Sequence, residues 1–383
     1  MPKKRRLYFA QIKSQLSNLH GINFLAKSRV LFVDVGQGSC QVILLGNNRA
    51  IVIDAGCSPE LPLRLLTLYR ITHIDLLVIS HSHFDHSGGV VSKGKKTHSD
   101  AVSGVLVAYQ KAIGKIAYVF DSDFLSRPVG KFLVHLVKSK VINPEQLIEI
   151  AVAERPYELW SSLDHHIIVA AISPHSGQRL TAFESKSPNA SSAILELRHK
   201  SERIVFAADS EIEQWRTVFR LRKEKIMKCT VLTLPHHGGL MAGTLADLTW
   251  FAKRAVEPQF VVVSVATRNQ HKHPRPEVVD AFASGDSHIL CTQITEQCCK
   301  HLEAIRPGVI GVLSYPCRSS AKRILAGSKK RSSQVACAGT IAALLDDDGI
   351  KIERHEEHRT GIDKLVADGH SPMCRSPKVA PPT

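Results

Sequence analysis

The chain is poor in aromatic residues and contains no long hydrophobic stretch. Aromatic side chains make up 6% of its 383 residues, so no row of rings on which nucleic-acid bases could stack is evident. No run reaches the roughly 18 apolar residues of a membrane-spanning helix, and we expect no membrane partner. The Lys- and Arg-rich start lacks the apolar segment of a secretory signal. The composition therefore predicts a cytoplasmic globular protein.

Acidic residues are scarce relative to basic ones. The 50 Lys and Arg residues outnumber the 35 Asp and Glu residues, which gives a formal net charge of +15. Part of this excess lies in short runs such as residues 3–6 and 329–331, which are typical of solvated tails. The rest is spread through the chain and favours an anionic substrate, with nucleic acid or a nucleotide as candidates.

Nine cysteines are present, and we expect them to be reduced, as in a cytoplasm. Five of them lie in one part of the chain, namely Cys291, Cys298, Cys299, Cys317 and Cys337. Two interpretations stay open. These residues are either free thiols or ligands of a structural zinc ion, although their spacing matches no zinc-finger pattern cleanly.

The strongest functional signal is the sequence His-Ser-His-Phe-Asp-His at residues 81–86. It follows the apolar run 74–79, which predicts a buried strand, and strand ends are where α/β sheets place their chemistry. Imidazole and carboxylate groups together suit zinc and related divalent ions. An extended backbone would point His81 and His83 to the same side. Asp85 and His86 could then face a second ion.

A site for two ions needs further ligands from the other half of the chain. Asp209 follows the predicted strand 203–207, where it could bridge the ions, and His236 and His237 follow the predicted strand 230–234. Two ions roughly 3.5–4 Å apart would share a hydroxide that attacks the substrate. We therefore expect two divalent ions as cofactors.

The predicted strands indicate an α+β fold with two strand-rich halves. Residues 30–35, 42–45 and 50–54 form a meander without intervening helices, and the second half repeats this style. This order fits a four-layer αββα sandwich better than a doubly wound parallel sheet. We expect a basic N-terminal segment (1–27), the main domain (28–317, with an insertion at about 92–160), a basic linker (318–336), a C-terminal β-hairpin packing on the core (337–368) and a disordered tail (369–383).

Four motifs carry a resemblance to a known family. They are residues 32–38, residues 53–56, residues 234–238, and Asn269 followed by His273-Pro274. Together with the 81–86 motif they resemble the metallo-β-lactamase superfamily over residues 28–295. The resemblance is greatest to the C-terminal domain of ComEC-type DNA-uptake proteins and their soluble relatives. It implies the metallo-β-lactamase sandwich and a nuclease-like or phosphodiesterase-like activity.

The resemblance also implies roles for single residues. It makes Asp209 the bridging ligand and one histidine of the pair 236–237 the last ligand of the second ion. We favour His237, which leaves His236 to contact substrate or donate a proton. Asn189, in a family-like position, and His175 are additional candidate ligands, and an amide ligand would suit manganese better than zinc. Zn²⁺ and Mn²⁺ both stay open.

Outside the ligands, three residues have candidate roles near the reaction. His273 lies in a loop after the predicted strand 260–265, where it could contact substrate or protonate the leaving group. Asp34 and Asp54 are candidates for orienting a metal ligand or for capping a turn. With Asp85, His273 completes the set of candidate catalytic residues.

The sequence thus predicts a metal-dependent hydrolase with a dimetal-bridging hydroxide, acting as a phosphodiesterase or nuclease. Two alternatives stay open. One is a hydrolase of a non-phosphate ester, thioester or lactone, and the other is a metal-stabilised binding module without turnover. The physiological substrate and the oligomeric state are not fixed by the residues.

Overall fold

The computed structural model describes residues 28–93, 102–164, 166–223, 225–283, 287–298 and 336–374. Its strands are, in chain order, β1 (Arg29–Phe32), β2 (Gln41–Leu45), β3 (Arg49–Ile53), β4 (His73–Ile79), β5 (Ser92–Lys93), β6 (Val102–Ser103), β7 (Ile113–Tyr118), β8 (Leu147–Glu149), β9 (Tyr157–Ser161), β10 (Ile167–Ser173), β11 (Ile194–His199), β12 (Glu202–Phe206), β13 (Met227–Thr233), β14 (Val256–Val263), β15 (His288–Cys291), β16 (Ile341–Asp346) and β17 (Gly349–Ile352).

Helices connect and cover these strands. They are α1 (Glu60–Leu68), α2 (Phe84–Ser87), α3 (Val105–Tyr109), α4 (Pro128–Lys138), α5 (Ser176–Glu184), α6 (Ile212–Arg222), α7 (Leu245–Trp250), α8 (Pro276–Ala283) and α9 (His355–Ala367). Short 3₁₀ turns span Phe124–Ser126, Pro144–Gln146, Asn189–Ser191 and Pro235–Gly238, and a π-helical turn spans Phe251–Ala255. Among the described residues, no helix is both long and apolar enough to cross a membrane.

The strands form two large sheets and a small two-stranded one. The first sheet has the order β17-β16-β1-β2-β3-β4-β7-β8, and the second has the order β15-β14-β13-β12-β11-β10-β9. In the second sheet, β12, β13, β14 and β15 run parallel. Their carboxyl ends therefore lie along one edge, which is where open α/β sheets bind ligands.

Side chains on both faces of the sheets are buried. In β1, Val30 and Phe32 belong to the core between the sheets, whereas Leu31 packs on the outer side with Leu66 of α1. On the outer side of the second sheet, Trp215 of α6 is fully buried in a third core. Strands that are covered on both faces have nearly continuous apolar sequences. This pattern is why the sequence predicted their positions. The predicted αββα sandwich is confirmed.

The segment predicted to be an insertion at about 92–160 belongs largely to the sandwich. It supplies β7 and β8 to the first sheet and β9 to the second. The helix α4 of this segment ends at Lys138. The strands β8 and β9 were missed because they are short and half-exposed, so no apolar run marks them.

The C-terminal residues pack against both sheets. The predicted hairpin is formed by β16 and β17, and Ile341 of β16 lies opposite Phe32 in β1. The prediction of a disordered tail is wrong for residues 369–374, because Met373 and Cys374 are buried in the core on the outer side of the second sheet. Residues 1–27, 299–335 and 375–383 lie outside the described residues, and they include the predicted N-terminal segment and most of the predicted linker 318–336.

Candidate metal centre

The predicted ligands come together at one edge of the sandwich. The loop 81–86 follows β4, Asp209 follows β12, and the pair 236–237 follows β13. Because β12 and β13 are parallel, the chain leaves both strands at the same edge. Trp215 anchors the start of α6, since its indole N–H donates to the Ser210 hydroxyl next to Asp209 (2.9 Å).

A first group of ligand atoms comes from His81, His83 and Asp209. The distance from His81 Nε2 to Asp209 Oδ2 is 3.8 Å, and the rings of His81 and His83 lie edge to face with centroids 4.9 Å apart. His81 is fully buried, and its Nε2 atom has no hydrogen-bond partner.

A second group comes from Asp85, His86, Asp209 and His237. His86 Nε2 lies 3.0 Å from Asp209 Oδ1. His237 Nε2 lies 3.4 Å from the same oxygen and 3.4 Å from Asp85 Oδ2. Asp209 therefore belongs to both groups, with Oδ1 facing the second and Oδ2 facing the first.

The residues present fit divalent metal ions. Within each group the ligand atoms lie within 4.8 Å of one another, and buried imidazole nitrogens and carboxylates are the donors that zinc and related ions prefer. The Nε2 atoms of His81 and His237 are buried without a hydrogen-bond partner. An orphaned buried nitrogen costs about 1–3 kcal/mol, which coordination to a cation would offset.

A buried carboxylate holds His86 in place. His86 Nδ1 donates to Asp54 Oδ2 (2.7 Å), and Asp54 also accepts the Ser80 backbone N–H (2.8 Å) and hydroxyl (2.6 Å). His237 is fixed in a similar way, since its Nδ1 donates to the Ser264 carbonyl (2.9 Å). These contacts orient both rings so that each Nε2 atom faces Asp209, as around protein-bound metals generally.

The charges in the site balance one another. Burial would raise the pKa of Asp209 and Asp85, but the neighbouring His86 and His237 outweigh it and hold both pKa values below the usual range. Burial would lower the pKa of His86, yet Asp209 and Asp54 raise it well above its usual value. Positive charge is therefore favoured between these carboxylates, and a divalent cation can supply it in place of protons.

Two neighbouring segments fix the 81–86 loop. Ser82 donates its backbone N–H and its hydroxyl to Asp121, both at 2.7 Å. On the other side, the Ser39 N–H donates to the Asp85 carbonyl (3.0 Å). Gly38 packs so closely here that a Cβ atom would lie 2.3 Å from that carbonyl oxygen, and its φ of +133° also favours glycine.

His236 and Asn189 lie beside the first group. His236 Nε2 is 3.9 Å from Asp209 Oδ2 and 3.5 Å from Asn189 Nδ2. Both His236 and His237 have positive φ values, 51° and 53°. His237 joins the second group, whereas His236 stands 28% exposed at the first.

His273 lies near the ligands without joining either group. Its ring centroid is 5.7 Å from that of His236, and Gly239 leaves room for it, since a Cβ there would lie 2.8 Å from the ring. Asn269 holds the loop by accepting the His273 N–H and donating to its carbonyl (both 2.8 Å). Burial and the imidazoles nearby lower the pKa of His273 to about 4.

Two further candidates, His175 and Asp34, also lie outside both ligand groups. His175 donates from Nδ1 to the Ala153 carbonyl (2.7 Å). Asp34 accepts from Gln293 Nε2 (2.7 Å), and the Gln293 side-chain oxygen in turn accepts the Thr267 N–H (2.8 Å). Asp34 thus supports the start of the loop that carries His273.

Sequence reasoning did not assign roles to Asp121 or Ser80. Asp121 follows β7 just as the 81–86 motif follows the adjacent β4, and this shared strand-end position was the available signal. For Asp54, the sequence left a turn cap and a supporting role equally open. Its hydrogen bond to His86 shows the supporting role.

Comparisons with known proteins agree with this fold. The profile of the Metallo-beta-lactamase superfamily matches residues 33–121, which include β4 and the whole 81–86 motif. A UPF0173 metal-dependent hydrolase of Staphylococcus aureus (strain MRSA252) is 33% identical over 73 residues, which are 18% of this chain and 30% of that protein. The chain thus spans about a third of the length of the curated relatives it matches.

Solved structures with a similar arrangement are more distant. The metallo-beta-lactamase fold protein YhfI from Bacillus subtilis has 14% identity and a TM-score of 0.38, covering 69% of this chain and 96% of YhfI. Human tRNase Z, short form, has 12% identity and a TM-score of 0.35, covering 70% and 93% respectively. The profile match spans the 81–86 motif, so residues 33–121 of this chain are similar to the metallo-β-lactamase superfamily.

Proposed function

We propose that this protein is a metal-dependent hydrolase that uses two divalent ions to cleave phosphodiester bonds in nucleic acid or a nucleotide. The observation that carries the proposal is Asp209, whose two oxygens face two separate groups of imidazoles. When bound, the ions lower the pKa of water and stabilise negative charge that develops on the substrate. The four motifs that resemble ComEC-type proteins support the phosphodiester as the bond that is cleaved.

Each ion has its own proposed ligands. The first is assigned to His81, His83 and Asp209, and the second to Asp85, His86, Asp209 and His237. His236 and His273 then line the substrate side of the first ion, where their imidazoles can hydrogen bond to the substrate. A pKa near 4 keeps His273 neutral at pH 7, so it suits substrate contact better than protonation of the leaving group. The donors suit Zn²⁺ or Mn²⁺.

The loop beside the ligands favours an anionic substrate. Arg268, Lys272 and Arg275 are all exposed on the segment that carries His273. This segment follows β14, at the same edge of the second sheet as His236. Cations grouped at the mouth of a site attract phosphate and raise the local substrate concentration.

An exposed aromatic ring adds a surface for a base. Phe84 lies between His83 and Asp85 in the motif, and 58% of it is exposed. A ring in this position can stack on a nucleobase next to the scissile phosphate, which is worth about 1–3 kcal/mol per base in other proteins. The low overall aromatic content therefore does not exclude nucleic acid.

The first experiment tests turnover. Purified protein is assayed for metal content and for hydrolysis of bis(p-nitrophenyl) phosphate and of single-stranded DNA. His81→Ala should lower both rates at least a hundredfold, whereas His135→Ala, which removes an exposed histidine of α4, should leave them unchanged. Bound metal without turnover on either substrate would contradict the proposal and favour a binding module.

The second experiment tests the anionic substrate through salt dependence. Each phosphate contact contributes a slope of about −0.7 to log K against log salt for single strands. Replacing Arg268, Lys272 and Arg275 by Gln should therefore make the slope of log(1/KM) for single-stranded DNA less steep by about 2.

The matched control replaces three exposed cations at the opposite edge. Lys228 is the second residue of β13, at the opposite end of the strand from His236, and Lys253 and Arg254 precede β14. Their Gln variant should keep the wild-type slope. Equal slopes for both triple variants, or faster cleavage of a neutral ester than of any phosphodiester, would contradict an anionic substrate at this loop.

A further inference from the structure

A third group of metal-ligating side chains lies outside the candidate metal centre. It consists of Cys337, His358 and Cys374, whose ligand atoms lie within 4.8 Å of one another. All three residues are buried, with exposures of 2%, 6% and 3%. They come from three separate places: the segment before β16, the helix α9, and the chain after that helix.

The distances within this group match those around a tetrahedral zinc ion. With Zn–S near 2.3 Å and Zn–N near 2.05 Å, tetrahedral geometry puts two sulfurs about 3.8 Å apart and a sulfur and a nitrogen about 3.6 Å apart. Cys337 Sγ lies 3.7 Å from Cys374 Sγ and 3.4 Å from His358 Nε2. A disulfide would need sulfurs about 2.05 Å apart, and both cysteines are free.

Cys291 lies beside this group and is the candidate for a fourth donor. Its side chain is fully buried at the end of β15. Its backbone N–H also donates to Cys374 Sγ (3.1 Å), a contact that would stabilise a thiolate. Cys298 lies nearby, but its sulfur accepts the Met373 N–H (3.4 Å) and contacts the Thr295 hydroxyl (3.5 Å).

We propose that Cys291, Cys337, His358 and Cys374 bind a structural zinc ion that is separate from the candidate metal centre. On binding, the three thiols release their protons to solvent and His358 binds through Nε2 as a neutral imidazole. Four protein ligands leave no open position, which is typical of structural rather than catalytic zinc. The proposal does not depend on the hydrolase activity.

The position in the fold indicates what the ion would do. Cys291 belongs to β15 at the edge of the second sheet, and Cys337 leads into β16 on the first sheet. His358 lies in α9, which buries Ile362 and Leu365 against the second sheet. One ion would therefore link the C-terminal helix α9 to β15 of the second sheet and to the segment that leads into β16 of the first sheet.

The test is X-ray absorption at the zinc edge on the full-length wild-type protein, together with its zinc content. We expect a sulfur shell at about 2.3 Å, because the candidate metal centre has imidazole and carboxylate donors only. Cys57 is the control, since its sulfur contacts the Gln37 carbonyl (3.2 Å) on the loop next to that centre. Cys57→Ser should keep the sulfur shell.

Single substitutions then assign the ligands. Cys374→Ser and Cys291→Ser should each lower the zinc content by one ion per chain, whereas Cys298→Ser and Cys229→Ser should not. Cys229 is a buried thiol of β13 without hydrogen bonds to this group. Zinc loss with Cys298→Ser but not with Cys291→Ser would overturn the choice of fourth ligand.

The wild-type measurement tests the zinc site even if a variant fails to fold. Absence of the sulfur shell in zinc-replete protein would overturn the site. So would a disulfide between Cys337 and Cys374, seen by mass spectrometry after alkylation without reduction.

Discussion

Replacing Asp54 by Asn should weaken metal binding although Asp54 belongs to neither group of candidate ligands. Asp54 Oδ1 accepts the Ser80 N–H, and Oδ2 accepts both the Ser80 hydroxyl and His86 Nδ1–H. In the variant, the amide oxygen keeps the backbone contact, so the NH₂ group takes the place of Oδ2. The NH₂ group and the Nδ1–H of His86 would then both be donors, so no hydrogen bond could form between them. His86 can avoid this only by moving its proton to Nε2, the atom needed for the second ion.

The expected magnitude follows from the position of this contact. Loss of the partner that orients a ligating histidine typically costs 10–100-fold in metal affinity or activity, which is about 1.4–2.7 kcal/mol. The upper end of this range is expected, because Asp54 is fully buried and no water can replace its carboxylate. Metal titration of the apoprotein, followed by hydrolysis at saturating metal, separates lost affinity from lost rate.

Asp75→Asn is the matched control. Asp75 is a carboxylate of β4 with 3% side-chain exposure, and it accepts from Arg49 and Trp160 rather than from a metal ligand. It should change stability without changing metal affinity, and circular dichroism reports whether both variants fold. Wild-type metal affinity in Asp54→Asn would refute the role given to the Asp54–His86 contact.

Three further predictions concern stability. Burial raises the pKa of Asp34 to about 6 from 3.8, so the folded state binds its proton more tightly and stability falls as pH rises from about 4 to 6. Asp34→Asn should therefore stabilise by up to about 3 kcal/mol at pH 7.5 and by nothing at pH 3.5, and equal urea midpoint shifts at both pH values would refute this. Gly38→Ala, with its Cβ 2.3 Å from the Asp85 carbonyl, should destabilise by about 1–3 kcal/mol, whereas Gly46→Ala, with open space around it, should cost under about 1 kcal/mol in the same denaturation assay. Chelation should lower Tm and added metal should restore it, and a Tm that does not respond to chelator in calorimetry would argue against bound ions.

The sequence located the strands that carry the site because both of their faces are buried. The apolar runs at 74–79, 203–207 and 230–234 overlap β4, β12 and β13, and their ends place the 81–86 motif, Asp209 and His237 together. The same criterion, a run of apolar residues, failed to identify β8. A strand with half-exposed residues lacks the apolar run that the pattern requires.

Other features depend on contacts that spacing does not encode. Asp54 has a φ of +53°, which is as compatible with a turn cap as with support of His86, and only its hydrogen bonds separate the two. The group formed by Cys337, His358 and Cys374 also depends on tertiary contacts. His358 and Cys374 follow Cys337 by 21 and 37 residues, a spacing set by a hairpin and a helix rather than by one local motif. Their convergence could be seen only once the C-terminal segment was folded onto the second sheet.

The central claim is that one carboxylate holds two ions. Anomalous diffraction from metal-replete crystals tests it most directly. We predict two peaks roughly 3.5–4 Å apart, each within bonding distance of one oxygen of Asp209. A single peak, or peaks that Asp209 does not contact, would contradict the account.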